Sequence, residues 1–292
     1  MKTLFSLIAR LPWCVLFALS DFFYVIVYYI ARYRRKVVRK NLVNSFPEKD
    51  LKSIIKLEKK FYHHFCDLFV ETIKLFHISV PEIQKHFKFT NIDEIKASLA
   101  AGDRLFMFSA HHASWGYLIS LSIYIDFPFI HFYKQLTNKT FDAMMLEMRE
   151  QFGSISIETN NGMRELAKRD KEGGAYITCF IVDQAPLPQS RQYWTKFLNQ
   201  DTPFIFTAER MARKFSYKAC YSRVVKVKRG YYEVTILPMC DNVANTAQNE
   251  ITQMYAEMLE ADIRNQPECY LWSHNRWKYS RKDYEKSSSN NS

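Results

Sequence analysis

The spacing of apolar positions changes near residue 80. Between residues 51 and 76, apolar side chains recur every three or four positions, as they do on one face of a helix. Beyond residue 80, short continuous apolar runs alternate with amphipathic stretches, and the runs 104–110 and 175–182 are the clearest candidates for buried strands. This alternation predicts a single α/β domain behind an N-terminal helical hairpin.

The same reasoning places the remaining elements. Strands are predicted at residues 87–89, 127–133, 154–158, 218–225 and 231–237. Helices are predicted at residues 92–100, 114–125, 141–152, 163–171 and 246–265. The polar tail, residues 283–292, is predicted to be disordered.

The most apolar stretch covers residues 11–31, about the length needed to cross a bilayer. The basic segment 32–40 follows it, which favours a cytoplasmic location for the rest of the chain. No small-residue cleavage site is evident, and this argues against a removed signal peptide. Because Asp21 near mid-span is costly in hydrocarbon, a spanning helix, an in-plane helix and a buried core helix all stay open.

Composition narrows the function classes. The 292 residues include 23 Phe and 18 Tyr, and the formal net charge of +11 favours nucleic acid, an anionic membrane, a phosphorylated substrate or an acidic carrier protein as partner. The 7 glycines form no phosphate-binding loop motif. The 6 scattered cysteines indicate a reduced compartment and no metal site.

Candidate chemistry lies where predicted strands end. His111 and His112, in FSAHHASWGYL, end one buried strand, and Asp183 and Gln184, in IVDQAP, end another. Functional side chains gather at the carboxyl edge of α/β sheets, and histidine suits proton transfer near neutral pH. The alternative interpretation is that His111 and His112 are structural.

A third group lies in the segment YLWSHNRWKY, residues 270–279. His274 and Arg276 alternate there with aromatic side chains. Such alternation fits nucleic acid, phosphate or a membrane-facing surface, and composition does not choose among them.

Taken in order, these segments resemble the late lipid A biosynthesis acyltransferases of the lysophospholipid-acyltransferase-like superfamily. The resemblance covers most of the chain. It is carried by the N-terminal apolar helix and by the segments RRKVVRKNLVNSFPE, FVETIKLF, AHHASW, FYKQLTNKTFD, VDQAP, YWTKFLNQDTPFIFTAERMARK and PECYLWSHNRWKY.

The resemblance implies a glycerolipid-acyltransferase-like fold, a mixed sheet flanked by helices with an N-terminal hydrophobic helix. The implied domains are a membrane-anchoring helix (1–31), a basic and amphipathic helical region (32–80), an α/β domain (81–282) and the tail. The implied reaction moves a fatty acyl chain from acyl carrier protein to a lipid A precursor hydroxyl, on the cytoplasmic face of the bacterial inner membrane. Acyl carrier protein is then a co-substrate, and no cofactor, metal or nucleic acid is required.

The family motif H-x-x-x-x-D/E departs from its pattern in this chain. Alignment makes His111 the general base, but Gly116 stands at the position of the carboxylate that should orient it. Asp183 is the first candidate to replace that carboxylate, and Glu71 the second. Alternatively, the acceptor is an amine, as in an amino-acid lipid, or another amphiphile, or the chain is a paralogue that binds lipid or carrier with impaired catalysis.

The resemblance also implies substrate-binding positions. Lys134 and Arg149 are expected to contact substrate phosphate or the carrier. Gln184, His274 and Arg276 are expected to line the same cleft.

Overall fold

The computed structural model describes residues 2–289 and the side chains of residues 5–286. The chain begins with the helices α1 (Lys2–Ala9), α2 (Trp13–Val25), α3 (Arg35–Ser45) and α4 (Leu51–Leu75). A π-helical turn, Ile26–Ile30, extends α2. The Asp50 carboxylate caps α4 by accepting a hydrogen bond from the Ser53 N–H, so the helix begins at the predicted acidic start signal.

The rest of the described chain alternates strands and helices. In chain order, the elements are α5 (Val80–His86), β1 (Phe87–Phe89), α6 (Ile92–Ala100), β2 (Arg104–Ser109), β3 (Phe129–Tyr133), α7 (Lys139–Glu150), β4 (Ile155–Glu158), α8 (Gly162–Glu172), β5 (Tyr176–Ile181), β6 (Gln192–Phe197), β7 (Gln200–Ile205), α9 (Thr207–Lys214), β8 (Lys218–Lys228), β9 (Tyr231–Cys240), α10 (Glu250–Asn265) and α11 (Arg281–Ser289).

Seven strands form one mixed sheet in the order β1-β9-β8-β2-β5-β3-β4. Neighbouring strands are parallel except for the antiparallel β8–β9 pair. Along β2, Leu105 and Met107 join one hydrophobic cluster while Phe106 and Phe108 join another. Both faces of the sheet are therefore covered, as a continuous apolar strand requires. The predicted fold class, a mixed α/β sheet flanked by helices behind an N-terminal apolar helix, is confirmed.

Several elements differ from the sequence prediction, and the helices α5 and α9 were not predicted. Residues expected to form an α-helix from 114 to 125 form a 3₁₀ helix, Trp115–Ile123. The antiparallel hairpin of β6 and β7 was not predicted. The tail predicted to be disordered is helical as far as Ser289, because the buried Tyr284 hydroxyl anchors it by donating to the Pro186 carbonyl at 2.8 Å; residues 290–292 lie outside the described residues.

Candidate active site

The sheet register brings the His111 strand end beside the Asp183 strand end. Strands β2 and β5 pair in parallel from Arg104 opposite Tyr176 to Ser109 opposite Ile181. Continuing this register by two residues places His111 opposite Asp183. Two residues 72 positions apart in sequence thus become neighbours at the carboxyl edge of the sheet, where α/β proteins carry their functional groups.

The side chains of His111 and Asp183 are joined by a hydrogen bond. His111 Nδ1 lies 2.7 Å from Asp183 Oδ1. The carboxylate accepts this hydrogen bond, so the neutral ring carries its proton on Nδ1 and leaves Nε2 free to accept a proton. The side chain of His111 is 18% exposed and that of Asp183 is 3% exposed. The base therefore faces the surface while its carboxylate lies beneath it.

Several groups keep Asp183 ionised. Burial alone raises the pKa of this carboxyl group, but the charge of His111, hydrogen bonds from its side chain and backbone, and the charge of Arg276 together lower the pKa below its ordinary value. The Tyr270 hydroxyl adds a further hydrogen bond to Asp183. The sequence did not single out Tyr270 as a site residue, although it begins the aromatic-basic segment.

Two side chains border the free nitrogen of His111. The Gln184 amide nitrogen lies 3.4 Å from His111 Nε2, a long contact that a substrate hydroxyl can replace. The Trp115 ring meets the imidazole edge-on, with 5.0 Å between ring centroids. Packing and hydrogen bonding thus restrict the ring without closing off Nε2.

His112 occupies a structural position. Its Nδ1 lies 3.2 Å from the Val224 carbonyl oxygen and its Nε2 lies 3.2 Å from the Gln266 carbonyl oxygen. It is buried, and burial lowers the pKa of its ring. Both ring nitrogens face backbone oxygens, whereas the Nε2 of His111 lies beside the Gln184 side chain instead.

The second candidate carboxylate, Glu71, has other partners. It accepts hydrogen bonds from the Ser114 hydroxyl at 3.0 Å and from the Tyr232 hydroxyl at 2.8 Å. Complete burial raises the pKa of Glu71 to about 7. At Gly116, an added Cβ would meet only Leu75 Cδ1, at 3.8 Å, so the position has room for a side chain.

The 270–279 segment supports the site from below. His274 Nε2 accepts a hydrogen bond from the Ala185 backbone N–H at 3.2 Å, which fixes the loop that carries Asp183 and Gln184. Burial lowers the pKa of His274 to about 4, so its ring is neutral and able to accept.

The Arg276 side chain is buried beneath the surface of the protein. It is 2% exposed, donates to the Pro203 carbonyl and lies over the Phe204 ring at 5.0 Å. Its Nε and Nη1 have no hydrogen-bond partner within residues 2–289. Its positive charge is one of the causes that lower the pKa of Asp183.

The two remaining predicted residues, Lys134 and Arg149, lie near the end of β3, on the far side of β5 from β2. Lys134 follows β3, a neighbour of β5, and is exposed. The Arg149 guanidinium lies 5.7 Å from the Tyr133 ring centroid. Burial lowers the pKa of Arg149, and its buried Nη1 finds no partner in the described part of the chain. A buried, unpaired guanidinium nitrogen suits an anionic ligand.

Two further properties bear on the class of protein. Within residues 2–289, no group of three or more His, Cys, Asp and Glu side chains is placed to hold a metal ion. The helix Trp13–Ile30 is long and apolar enough to cross a membrane by length and composition, and 22% of it is buried.

A histidine held by a buried carboxylate at the carboxyl edge of a mixed sheet is an arrangement typical of enzymes that use histidine in proton transfer. A model of the bacterial lipid A biosynthesis acyltransferases matches residues 2–279. The chain belongs to that family. No curated protein matches it significantly. The family and the apolar helix are both consistent with membrane association.

Proposed function

We propose that the protein transfers a fatty acyl chain from acyl carrier protein to a hydroxyl group of a lipid A precursor, at the cytoplasmic face of the bacterial inner membrane. The observation that carries this proposal is the 2.7 Å hydrogen bond between His111 and Asp183. It supplies the oriented base that the Gly116 departure leaves in doubt. The family membership supports the acyltransferase reaction in general.

In the proposed reaction, His111 Nε2 removes the acceptor hydroxyl proton as the oxygen attacks the thioester carbonyl carbon. The C–O bond forms, the tetrahedral intermediate collapses, and the C–S bond breaks. His111 then returns its proton to the departing thiolate. Asp183 holds the ring in the Nδ1–H tautomer and stabilises the imidazolium formed between the two steps.

The remaining assignments follow from position. Gln184 lies beside His111 Nε2 and is proposed to orient the acceptor or donate to the carbonyl oxygen as negative charge develops there. Arg149 and Lys134 are proposed to bind acceptor phosphate or the acidic carrier. His274 and Arg276 are proposed to act on the substrate indirectly, by fixing the 183–185 loop and the charge of Asp183.

A transfer assay tests the proposal. Purified full-length protein is mixed with acyl carrier protein loaded with labelled fatty acid and with a lipid A precursor. We expect ester formation on the precursor, and a loss of at least about 10²-fold in rate for His111→Ala. If no acceptor gives product above the His111→Ala level, the protein is a lipid- or carrier-binding paralogue. Transfer confined to amine-bearing lipids would instead make an amino-acid lipid the acceptor.

A further inference from the structure

We infer that helix α2 lies flat in the membrane interface rather than crossing the bilayer, and that its exposed apolar face is the surface on which the protein binds an anionic phospholipid membrane. This inference rests on the proposed membrane location and specifies its geometry. It is carried by contacts along the whole helix.

Helix α2 packs antiparallel along α4 from one end to the other. At its start, Lys74 Nζ donates to the Leu11 carbonyl at 3.3 Å. At its middle, the Ser20 hydroxyl donates to Asp67 at 2.7 Å. One turn further, the Tyr24 and His63 rings stack with 3.6 Å between their centroids. The apolar segment therefore has the globular part of the molecule beside it over most of its length.

A charged clamp fixes the middle of the helix. Arg229, in the β8–β9 turn, places Nη2 2.7 Å from Asp21 Oδ1 and 2.7 Å from Asp67 Oδ1. Asp67 is buried, whereas Asp21 and Arg229 are partly exposed. The Asp21 carboxylate, whose charge makes a membrane span costly, is thus paired with Arg229 from a strand turn of the α/β domain.

The chain before α2 also returns to the globular part. The Phe5 ring lies 5.8 Å from Phe76 and 6.4 Å from Phe141. If α2 crossed the bilayer, Phe5 would lie on the far side from both partners. Lys74, Asp67 and Arg229 would also have to enter hydrocarbon, where charged side chains are costly. An in-plane helix keeps all these contacts.

The face of α2 turned away from α4 carries bulky apolar side chains. Phe22 is 61% exposed and Ile30 is 72% exposed. The same exposed face includes Val15, Phe23 and Val25, and Tyr29 is exposed in the π-helical turn that extends α2. An exposed apolar stripe of this length is a surface suited to contact with a membrane.

Basic side chains border this face. Lys59 Nζ lies 5.9 Å from the Tyr29 ring centroid, and the Arg34 guanidinium lies 5.7 Å from that of Tyr33. Arg32, Lys36 and Lys60 are exposed nearby in sequence. Cations beside an exposed apolar face favour anionic headgroups, so an anionic bilayer fits this surface better than a protein partner does.

The membrane surface is continuous with the candidate active site. Arg34 Nη1 donates to the Ser273 carbonyl at 3.1 Å. Asn41 Nδ2 donates to the carbonyls of Trp272 and His274, both at 3.0 Å. His274 in turn holds the loop that carries Asp183. A bilayer bound at α2 is therefore held in a fixed relation to the cleft.

Sided labelling tests the orientation. The full-length chain carries Arg10→Cys at an exposed position before α2, with Cys14 and Cys240 changed to Ser, so that the other described cysteines are buried. A membrane-impermeant maleimide should label Cys at position 10 in inverted inner-membrane vesicles and not in intact spheroplasts. A matched chain with Glu257→Cys, on α10, reports the cytoplasmic side. Labelling in spheroplasts, or only after detergent, would overturn the inference.

Vesicle flotation tests the surface. We expect Phe22→Ser and Ile30→Ser each to weaken binding to phosphatidylglycerol–phosphatidylethanolamine vesicles about tenfold, since each removes one large apolar contact. Val43→Ser and Leu187→Ser are controls, since both residues are exposed apolar positions outside this face. Unchanged binding, or equal losses in the controls, would contradict the surface. Neither readout needs acyl transfer, so their failure leaves the proposed reaction standing.

Discussion

The chemistry depends on two ring nitrogens of one histidine. In the proposed reaction, the Asp183 carboxylate accepts a hydrogen bond from His111 Nδ1–H, and this leaves the Nε2 lone pair to act as the base. The sequence alone identified His111 and named Asp183 first among the replacements for the missing carboxylate. It did not rank Asp183 above Glu71 on distance, because the two acids come from different elements whose positions only the fold decides.

Gly116 tests whether the motif position still matters. An added Cβ there has open space, with Leu75 Cδ1 its nearest contact at 3.8 Å. Since Asp183 already holds His111 Nδ1, we expect Gly116→Glu to leave kcat for acyl transfer unchanged or lower. Gly116→Gln is the matched control for size. A rise in kcat with Glu and none with Gln would show that the lost carboxylate limits the reaction.

Glu71 gives a pH-dependent stability. Burial raises its pKa from the ordinary 4.5 to about 7. The folded state therefore binds more protons than the unfolded state between these values. The stabilisation is fully present below 4.5 and is lost as the pH rises through about 7. The difference between these two pKa values corresponds to a stabilisation of up to about 3 kcal/mol.

The Glu71→Gln variant should remove this dependence. We expect its free energy of unfolding, measured by urea titration from pH 5 to pH 8, to fall less with pH than that of the unmodified chain. Glu82→Gln, at a less buried carboxylate, serves as control. Identical pH slopes for Glu71→Gln and the unmodified chain would contradict the assignment.

At the scale of elements, a helix or strand pair could be predicted only where its turn residues are of the usual types. Residues 92–100 were predicted as a helix, and Ile92–Ala100 is one. The β6–β7 hairpin escaped prediction because its turn residues are Leu198 and Asn199, both with positive φ. A leucine rarely adopts that backbone. Tertiary hydrogen bonds hold it: the Leu198 N–H donates to Glu260 at 2.7 Å, and Asn199 donates to the Ser45 carbonyl at 2.9 Å.

The attachment of α2 to the rest of the molecule also depends on contacts between elements. Arg229 bridges Asp21 of α2 and the buried Asp67 of α4. We expect Arg229→Ala to lower the free energy of unfolding by about 1–3 kcal/mol, because it leaves the Asp67 charge under-compensated. Urea unfolding measures this loss.

Lys228→Ala is the matched control in the same turn. Lys228 is exposed and lies over the Tyr231 ring at 4.2 Å, so its removal should change stability by about 0.5 kcal/mol or less. Equal losses in the two variants would contradict the clamp.

At the scale of the molecule, the sheet joins what the sequence keeps apart. The alternation of apolar runs and helices gave the α/β class, and strand ends gave the edge at which His111 and Asp183 lie. The strand order did not follow from the sequence, because the pairing of β2 with both β5 and β8 depends on packing across more than 70 residues. The burial of Arg276 beneath the site escaped prediction for the same reason.

The whole molecule also bears on the arrangement of the N-terminal helix, which the sequence pattern left open. Length and hydropathy of the apolar helix fit a span, an in-plane helix or a core helix. The contacts of Phe5, Asp21 and Lys74 with the globular part favour the in-plane arrangement. Phe76, Arg229 and Lys74, which make these contacts from the globular part, lie far from α2 in sequence. No local sequence pattern therefore identifies them.

The kcat of Asp183→Asn tests the central claim most directly. The change keeps the size of the side chain but removes the charge that orients and stabilises the His111 ring. We predict that kcat for acyl transfer from acyl carrier protein falls by about 10³–10⁴-fold with little change in KM. Circular dichroism and urea unfolding confirm that the variant is folded. A kcat within a few-fold of the unmodified protein would show that His111 does not act as a base held by Asp183.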